Sequence, residues 1–327
     1  MSIPDRPTVL VTRGSPLALA QANQVLALCR EAFPKAAFEL RILKTTGDKL
    51  QKASLANPAE SLPKGLFTKE LEVALLAREG DLAVHSLKDL PTDLPDELHL
   101  GAVLPRADAR DVLVYRGLEG PGLRSLPAHL QLTDLPSGAV IATSSTRRRE
   151  QLLAVRPDLK TVEIRGNVGT RLNKVASQAE LDATLLAAAG LARLGFGLEA
   201  DGRLTGPTPG SVPAGLLGVA LDPVTMIPAV GQAAIGLECR IDDPWTKMIC
   251  AVLNHSETLK AVTAERAFLR AMGGGCQSPV AAHARIEAAI LHVRAVSFRH
   301  GPAQRAEIEG SPDRAEALGR ELAERLP

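Results

Sequence analysis

The residues best placed to do chemistry are in His85-Ser86-Leu87-Lys88-Asp89-Leu90-Pro91. The apolar run Leu82-Ala83-Val84 before them reads as a buried strand, and Pro91 stops it. Polar groups at the carboxyl end of a strand in an open α/β sheet stand where ligands bind. Asp89 is the carboxylate of this stretch. Its plain alternative is a cap or a salt bridge with Lys88; its chemical reading is a charge stabiliser for a cation that develops on a substrate. Neighbouring cations would favour its ionised form.

Three other junctions carry hydroxyls and cations: Arg13-Gly14-Ser15, Thr143-Ser144-Ser145 with Arg147 and Arg148, and Arg165-Gly166-Asn167; Arg193 follows a further strand. A helix N-terminus offers free N–H groups to an anion, and arginine adds a fork that matches a carboxylate. One such junction is no more than a capped helix beside a surface arginine. Several together predict a cleft for a ligand with several acidic groups. Cys276 is set apart from the other cysteines. Cys29, Cys239 and Cys250 fall on apolar faces of a helix, a strand and a helix, whereas Cys276 follows Gly273-Gly274-Gly275, where neither helix nor strand can persist. It reads as a loop cysteine without a role, or as a nucleophile or attachment point.

The elements that must position these residues alternate. Val9–Thr12, Phe38–Leu43, Leu82–His85, Leu98–Val103, Val112–Tyr115, Val140–Ala142, Thr161–Ile164, Ala183–Leu186 and Ala233–Cys239 read as strands. Helices are expected after Ser15, over about Thr68–Glu79, after Ser145, after Asn167, and over Pro244–Asn254 and Thr258–Met272. This is an α/β pattern with mostly parallel sheets. Residues 197–223, rich in Gly and Pro, read as an inserted loop, and the strand at 233–239 as a return to the first domain. The end of the chain alternates around residues 291–296 and 306–308, and its last helix is expected near Asp313 with Glu316 as a capping pair. That part reads as a small antiparallel sheet covered by helices.

With 327 residues, 45% hydrophobic and 23% charged, the chain is long enough for two or three domains. A net charge of +1 and 2% aromatics argue against a nucleic-acid surface, and Arg147-Arg148-Arg149 reads as a solvated helix face in that respect. No apolar run is long enough to span a bilayer, no signal peptide is read at the N-terminus, and the histidines and cysteines lack metal-ligand spacing. Cytoplasm, no membrane and no metal are the expectations. A non-catalytic two-lobed protein binding a polycarboxylate anion would share the junction chemistry, but would not need Cys276.

Six stretches together resemble the porphobilinogen deaminase (hydroxymethylbilane synthase) family: Thr12 to Gln21, Lys64 to Glu72, His85 to Pro91, Thr143-Ser144-Ser145, Arg165 to Leu172 and Gly274 to Gln277. The resemblance covers nearly the whole chain. It implies two α/β lobes of the periplasmic-binding-protein kind around a cleft, with a smaller C-terminal α/β domain that carries the cysteine. The domains would be 1–104 plus 233–252, 109–228 and 256–327. It implies a transferase that joins four porphobilinogen molecules and releases ammonia and the linear tetrapyrrole hydroxymethylbilane. A dipyrromethane cofactor would be held by a thioether to Cys276. By the same resemblance Asp89 is catalytic. Ser86, Lys88, Thr143, Ser144, Ser145, Arg147, Arg148, Arg165 and Gly166 would bind cofactor. Arg13, Ser15, Phe67 and Arg193 would bind substrate. Residues 48–64 match a lid, and a monomer is expected. The chain departs from the family pattern at Val162, where arginine is frequent, with Arg149 or Arg171 as substitutes, and at Gly231-Gln232-Ala233, usually Gly-Gln-Gly.

Overall fold

A computed structural model describes residues 3–45, 67–117, 126–275 and 278–326. The first strand, β1 (Thr8–Arg13), is buried as far as Thr12. At its end Ser15 caps α1 (Pro16–Ala32): Oγ accepts from the Ala18 N–H at 3.3 Å, and Pro16 takes the first helical position, where no N–H is needed. Then come β2 (Phe38–Leu43), α2 (Lys69–Leu76), β3 (Leu82–Ser86) and β4 (Leu98–Val103). A second lobe opens with β5 (Asp111–Arg116) and continues through β6 (Val140–Ala142), α3 (Thr146–Val155), β7 (Lys160–Val162), α4 (Val168–Ser177), β8 (Ala183–Ala187) and α5 (Ala188–Arg193). It closes with β9 (Gly197–Leu198), β10 (Leu204–Thr205) and β11 (Leu216–Ala220). The chain returns through β12 (Ile235–Arg240) and α6 (Pro244–Leu253) to a third region of α7 (Ser256–Ala271), β13 (Val280–Glu287), β14 (Ile290–Ser297), β15 (Gln304–Gly310) and α8 (Ala315–Glu324).

The two lobes share one strand order. Lobe 1 runs β2-β1-β3-β12-β4 and lobe 2 runs β7-β6-β8-β5-β11. In each, the fourth strand is antiparallel to both neighbours, and it is the strand that has just crossed from the other lobe. The other strands point one way, so their carboxyl ends gather on one edge of each sheet. Lobe 1 buries both faces, with Leu10, Val25, Leu82, Leu237 and Ile249 on one side and Val9, Val11, Leu71 and Leu75 on the other.

The third region is an antiparallel sheet, β13-β14-β15, with α7 and α8 packed over Phe268, Leu291, Val293, Leu318 and Leu322. Gly319 lets those helices touch, because a Cβ there would stand 2.2 Å from the Ala264 carbonyl oxygen. Glu265 ties this region to both lobe crossovers. Its fully buried carboxylate accepts from Arg106 Nη1 at 2.6 Å, from the Gly231 N–H at 2.7 Å and from the Ala284 N–H at 2.7 Å.

Some local expectations change. Residues 197–223 are not simply loop: β9 and β10 form a short hairpin, and β11 pairs with β5 over five residues. Gly218 suits that pairing, because a Cβ there would crowd Val112 and Leu198 at 3.2 Å. The seventh strand ends at Val162 rather than Ile164. The last helix starts at Ala315, after a 3-10 turn (Pro312–Arg314) capped by Ser311 rather than by Asp313 and Glu316.

Candidate active site

β3 ends in a 3-10 turn, Leu87–Asp89, closed by a hydrogen bond from the Leu90 N–H to the Leu87 carbonyl at 3.1 Å. Leu87 is buried and its N–H donates to the Ala234 carbonyl at 3.0 Å, which anchors the turn to the returning chain. From α7, Arg266 donates to the carbonyls of Leu90 at 3.0 Å and Pro91 at 2.6 Å, and Arg270 to that of Thr92. Asp89 is thus a half-buried side chain on a backbone held from both ends.

It borders two cavities. The larger, about 560 Å³, lies between the lobes. Lobe 1 contributes Arg13, Ser15, Gln21, Phe67, Ser86, Lys88 and Asp89 to its wall, and lobe 2 contributes Arg148, Gly166, Asn167, Arg171 and Arg193. The smaller, about 190 Å³, is bounded by Lys88, Asp89, Ser145, Arg147, Arg148 and Gln232, and by Gly275 and Ser278 of the third region. Lys88, Asp89 and Arg148 border both. Among the described residues, Asp89 is the one carboxylate on either wall.

The cations are held in distinct ways. The Arg13 guanidinium lies 4.2 Å from the Phe67 ring centroid, a cation–π contact. Desolvation lowers the Lys88 pKa from its usual value, with Asp89 opposing it. Arg171 and Arg193 are pushed down to about 10, both by burial, with Arg148 adding repulsion at Arg171. They remain protonated at neutral pH. Arg171 Nε donates to the Gly166 carbonyl at 2.9 Å, and Arg193 Nη2 to that of Ala233 at 2.6 Å. Ala233 has φ +71°, the left-handed region that suits glycine, at the position where the family pattern usually has one.

Arg147 and Arg148 are more deeply committed than their sequence context implies. Both are buried against Asp111, with Arg147 Nη1–Oδ2 and Arg148 Nη2–Oδ1 each 2.7 Å. Burial alone would raise the Asp111 pKa, but the two guanidiniums outweigh it and hold the carboxyl well below its usual range. Arg148 keeps its buried Nε without an acceptor.

The other expected residues divide. Ser15 and Ser145 cap α1 and α3 and also border the cavities. Ser86 Oγ donates to Gln21 Oε1 at 2.9 Å, and Gln21 Nε2 is buried without an acceptor. Thr143 and Ser144 are not on either wall: Thr143 Oγ1 accepts from the Ser145 N–H at 3.2 Å, and Ser144 Oγ donates to the Ile164 carbonyl at 2.7 Å. Arg165 Nη2 lies 3.4 Å from Glu163 Oε2 and the residue is not among those bordering either cavity, whereas Gly166 and Asn167 border the larger. Arg149 pairs with Glu150 on the surface, so Arg171 is the arginine that enters the cleft. Cys276 and residues 48–64 lie outside the described residues; Gly275, next to Cys276, borders the smaller cavity. Asn167 belongs to the expected Arg165-Gly166-Asn167 junction, whereas Gln21, Gln232 and Asp111 lie outside the site residues that sequence reasoning reaches. Gln21 had a signal, a polar residue on the buried face of α1.

Two family models match the chain. One, described as porphobilinogen deaminase, dipyromethane cofactor binding domain, covers residues 8–248, and the other, porphobilinogen deaminase, C-terminal domain, covers 259–327. The chain belongs to the porphobilinogen deaminase family. Members from Desulforudis audaxviator and Pelobacter propionicus are 45% and 42% identical, over 98% and 99% of this chain and 94% of each relative. One from Chloroherpeton thalassium is 43% identical over 87% of this chain and 80% of its own. Among solved structures, the periplasmic aliphatic sulphonate binding protein SsuA from Escherichia coli aligns with 83% of this chain and 71% of its own at 12% identity and a TM-score of 0.41, too distant to add to the assignment.

Proposed function

We infer that this deaminase family member condenses four porphobilinogen molecules head to tail on a dipyrromethane primer attached to Cys276, releasing ammonia and hydroxymethylbilane. The observation that carries the reading is that, among the described residues, Asp89 is the single carboxylate on walls rich in cations.

Each pyrrole of substrate and primer bears an acetate and a propionate, so the ligand is a polyanion. The wall suits it: Arg148 Nε and Gln21 Nε2 are buried donors without acceptors, and Lys88, Arg171 and Arg193 line the same cavity. Gly275, which precedes Cys276 in sequence, borders the smaller cavity, and that cavity shares Lys88, Asp89 and Arg148 with the larger; this supports attachment of the primer at Cys276. Once bound, the primer supplies the pyrrole carbon that forms the new bond.

The chain's own residues do the rest. Arg13, Ser15, Arg171 and Arg193 orient incoming carboxylates. Lys88, Ser145 and Arg148 hold those nearer the attachment loop, and Thr143, Ser144 and Arg147 shape that junction from behind. The Asp89 carboxylate accepts a hydrogen bond from a pyrrole N–H and stabilises the positive charge that spreads onto the ring as ammonia leaves. Its fixed turn keeps it aligned without reorganisation. The enzyme is expected to act as a cytoplasmic monomer without nucleic acid. Among the described residues, no helix is long and apolar enough to cross a membrane.

The intact mass of protein from cells that make porphobilinogen tests the reading. An excess equal to two linked pyrrole units, lost in Cys276→Ser, is expected. An unmodified mass would overturn it and favour a non-catalytic polycarboxylate binder.

A further inference from the structure

Away from the cleft, lobe 1 holds a second concentration of reactive side chains. Cys239 on β12 and Cys250 on α6 face each other with Sγ atoms 3.9 Å apart, and Cys239 Sγ lies 3.2 Å from Nε2 of His99 on β4. The two sulfurs occupy space that only a glycine leaves: a Cβ on Gly101 would stand 2.7 Å from Cys250 Sγ and 2.9 Å from Cys239 Sγ. Both thiols are buried, while His99 is half-exposed on the edge strand of the sheet. The imidazole is therefore the link between solvent and the pair.

We propose that Cys239 and Cys250 are a reversible redox site, closed to a disulfide by a small hydroperoxide, with Cys239 as the attacking sulfur and His99 as the group that takes its proton. The local chemistry distinguishes the two thiols. Cys239 Sγ is the sulfur within reach of His99 Nε2, at 3.2 Å, and Cys250 Sγ lies 3.9 Å from Cys239 Sγ. Desolvation lowers the His99 pKa, so the ring is neutral at pH 7 and free to accept. Cys29, also near Cys250, is pushed up to about 12 by burial and stays a thiol.

The steps balance. The Cys239 thiolate attacks the nearer peroxide oxygen and becomes a sulfenic acid; the other oxygen leaves with a proton as water or an alcohol. Cys250 then attacks Cys239 Sγ, and the displaced hydroxide leaves as water with the Cys250 proton. Two thiols and one hydroperoxide give one disulfide, one alcohol or water, and one water. The bridge would join the strand that returns from lobe 2 to the helix that leads to the third region.

Holoprotein is treated with hydrogen peroxide, its remaining thiols are alkylated, and its peptides are mapped by mass. Reading masses at these peptides keeps the result separate from any oxidation of the bound pyrroles. The expected product is a Cys239–Cys250 cross-link, reversed by dithiothreitol. In Cys250→Ser, sulfenic acid accumulates on Cys239 and is trapped by dimedone. His99→Gln slows cross-linking roughly tenfold without changing the product. A bridge to Cys29, first oxidation at Cys250, or thiols left unreacted in folded protein would each overturn the proposal.

Discussion

The two lobes have the same strand order, yet they present opposite chemistry at equivalent places. Strand β3 of lobe 1 ends in Ser86-Leu87-Lys88-Asp89, and its carboxylate faces both cavities. The corresponding strand of lobe 2, β8, ends in Ala187 and runs into Ala188-Ala189-Gly190, and among the described residues lobe 2 adds no acid to that wall. Lobe 2 does hold an aspartate at the domain junction, but Asp111 is fully buried between Arg147 and Arg148. One aspartate is therefore offered to a ligand, and the other neutralises the protein's own cations. A repeated topology supplies two anion-binding edges; which edge carries a carboxylate is a matter of a few side chains.

Exchanging these roles is the strongest test of that contrast. Asp89→Asn is expected to lower kcat by about 10³-fold while the mass still shows the primer, because the lost charge acts on the developing cation. Near-normal turnover would remove Asp89 from the mechanism. Asp111→Asn is expected to act first on stability, by about 3 kcal/mol or more in urea unfolding at neutral pH, because it leaves two buried guanidiniums uncompensated. The Asp111 carboxyl is depressed in the folded protein, so its contribution is complete above its unfolded pKa, near 3.9, and is lost as pH falls below that. The variant should lack that part of the acid sensitivity.

Smaller effects sharpen the outer wall of lobe 2. Arg171→Leu is expected to raise KM for porphobilinogen by about tenfold, as one buried charged contact is removed. Arg149→Leu should leave KM unchanged, since Arg149 pairs with Glu150 at the surface. Equal effects in the two variants would erase the distinction between them. At the crossover, Ala233→Gly is expected to stabilise the fold by about 1 kcal/mol by relieving the left-handed backbone of Ala233. A loss of stability in urea unfolding would mean that its methyl packing outweighs that strain.

Much of the strand-and-helix order was legible because the signals are local. Ser15, Ser145 and Asn167 cap helices by bonding to an N–H three residues on, a relation that can be read within four residues. β11 was not legible: Gly215, Gly218 and Pro213 resemble loop, and the strand exists because β5 offers it an edge about 100 residues away in sequence. The arginine triplet shows the same limit at the site. Successive helical residues turn by about 100°, so Arg147 and Arg148 reach inward to Asp111 while Arg149 faces solvent.

By itself the sequence determined the α/β alternation, the capped junctions and the prominence of Asp89 and Cys276, because residue type and spacing act over one or two turns of chain. Only the tertiary structure decided which cations face the cavity. Asp111 lies 36 and 37 residues from Arg147 and Arg148, and nothing local pairs them. The same holds for Arg171, which borders the larger cavity, and for Arg165, which pairs with Glu163 instead. A guanidinium meets a ligand or a buried partner according to which acid the fold brings within reach, and that distance is set by packing rather than by position along the chain.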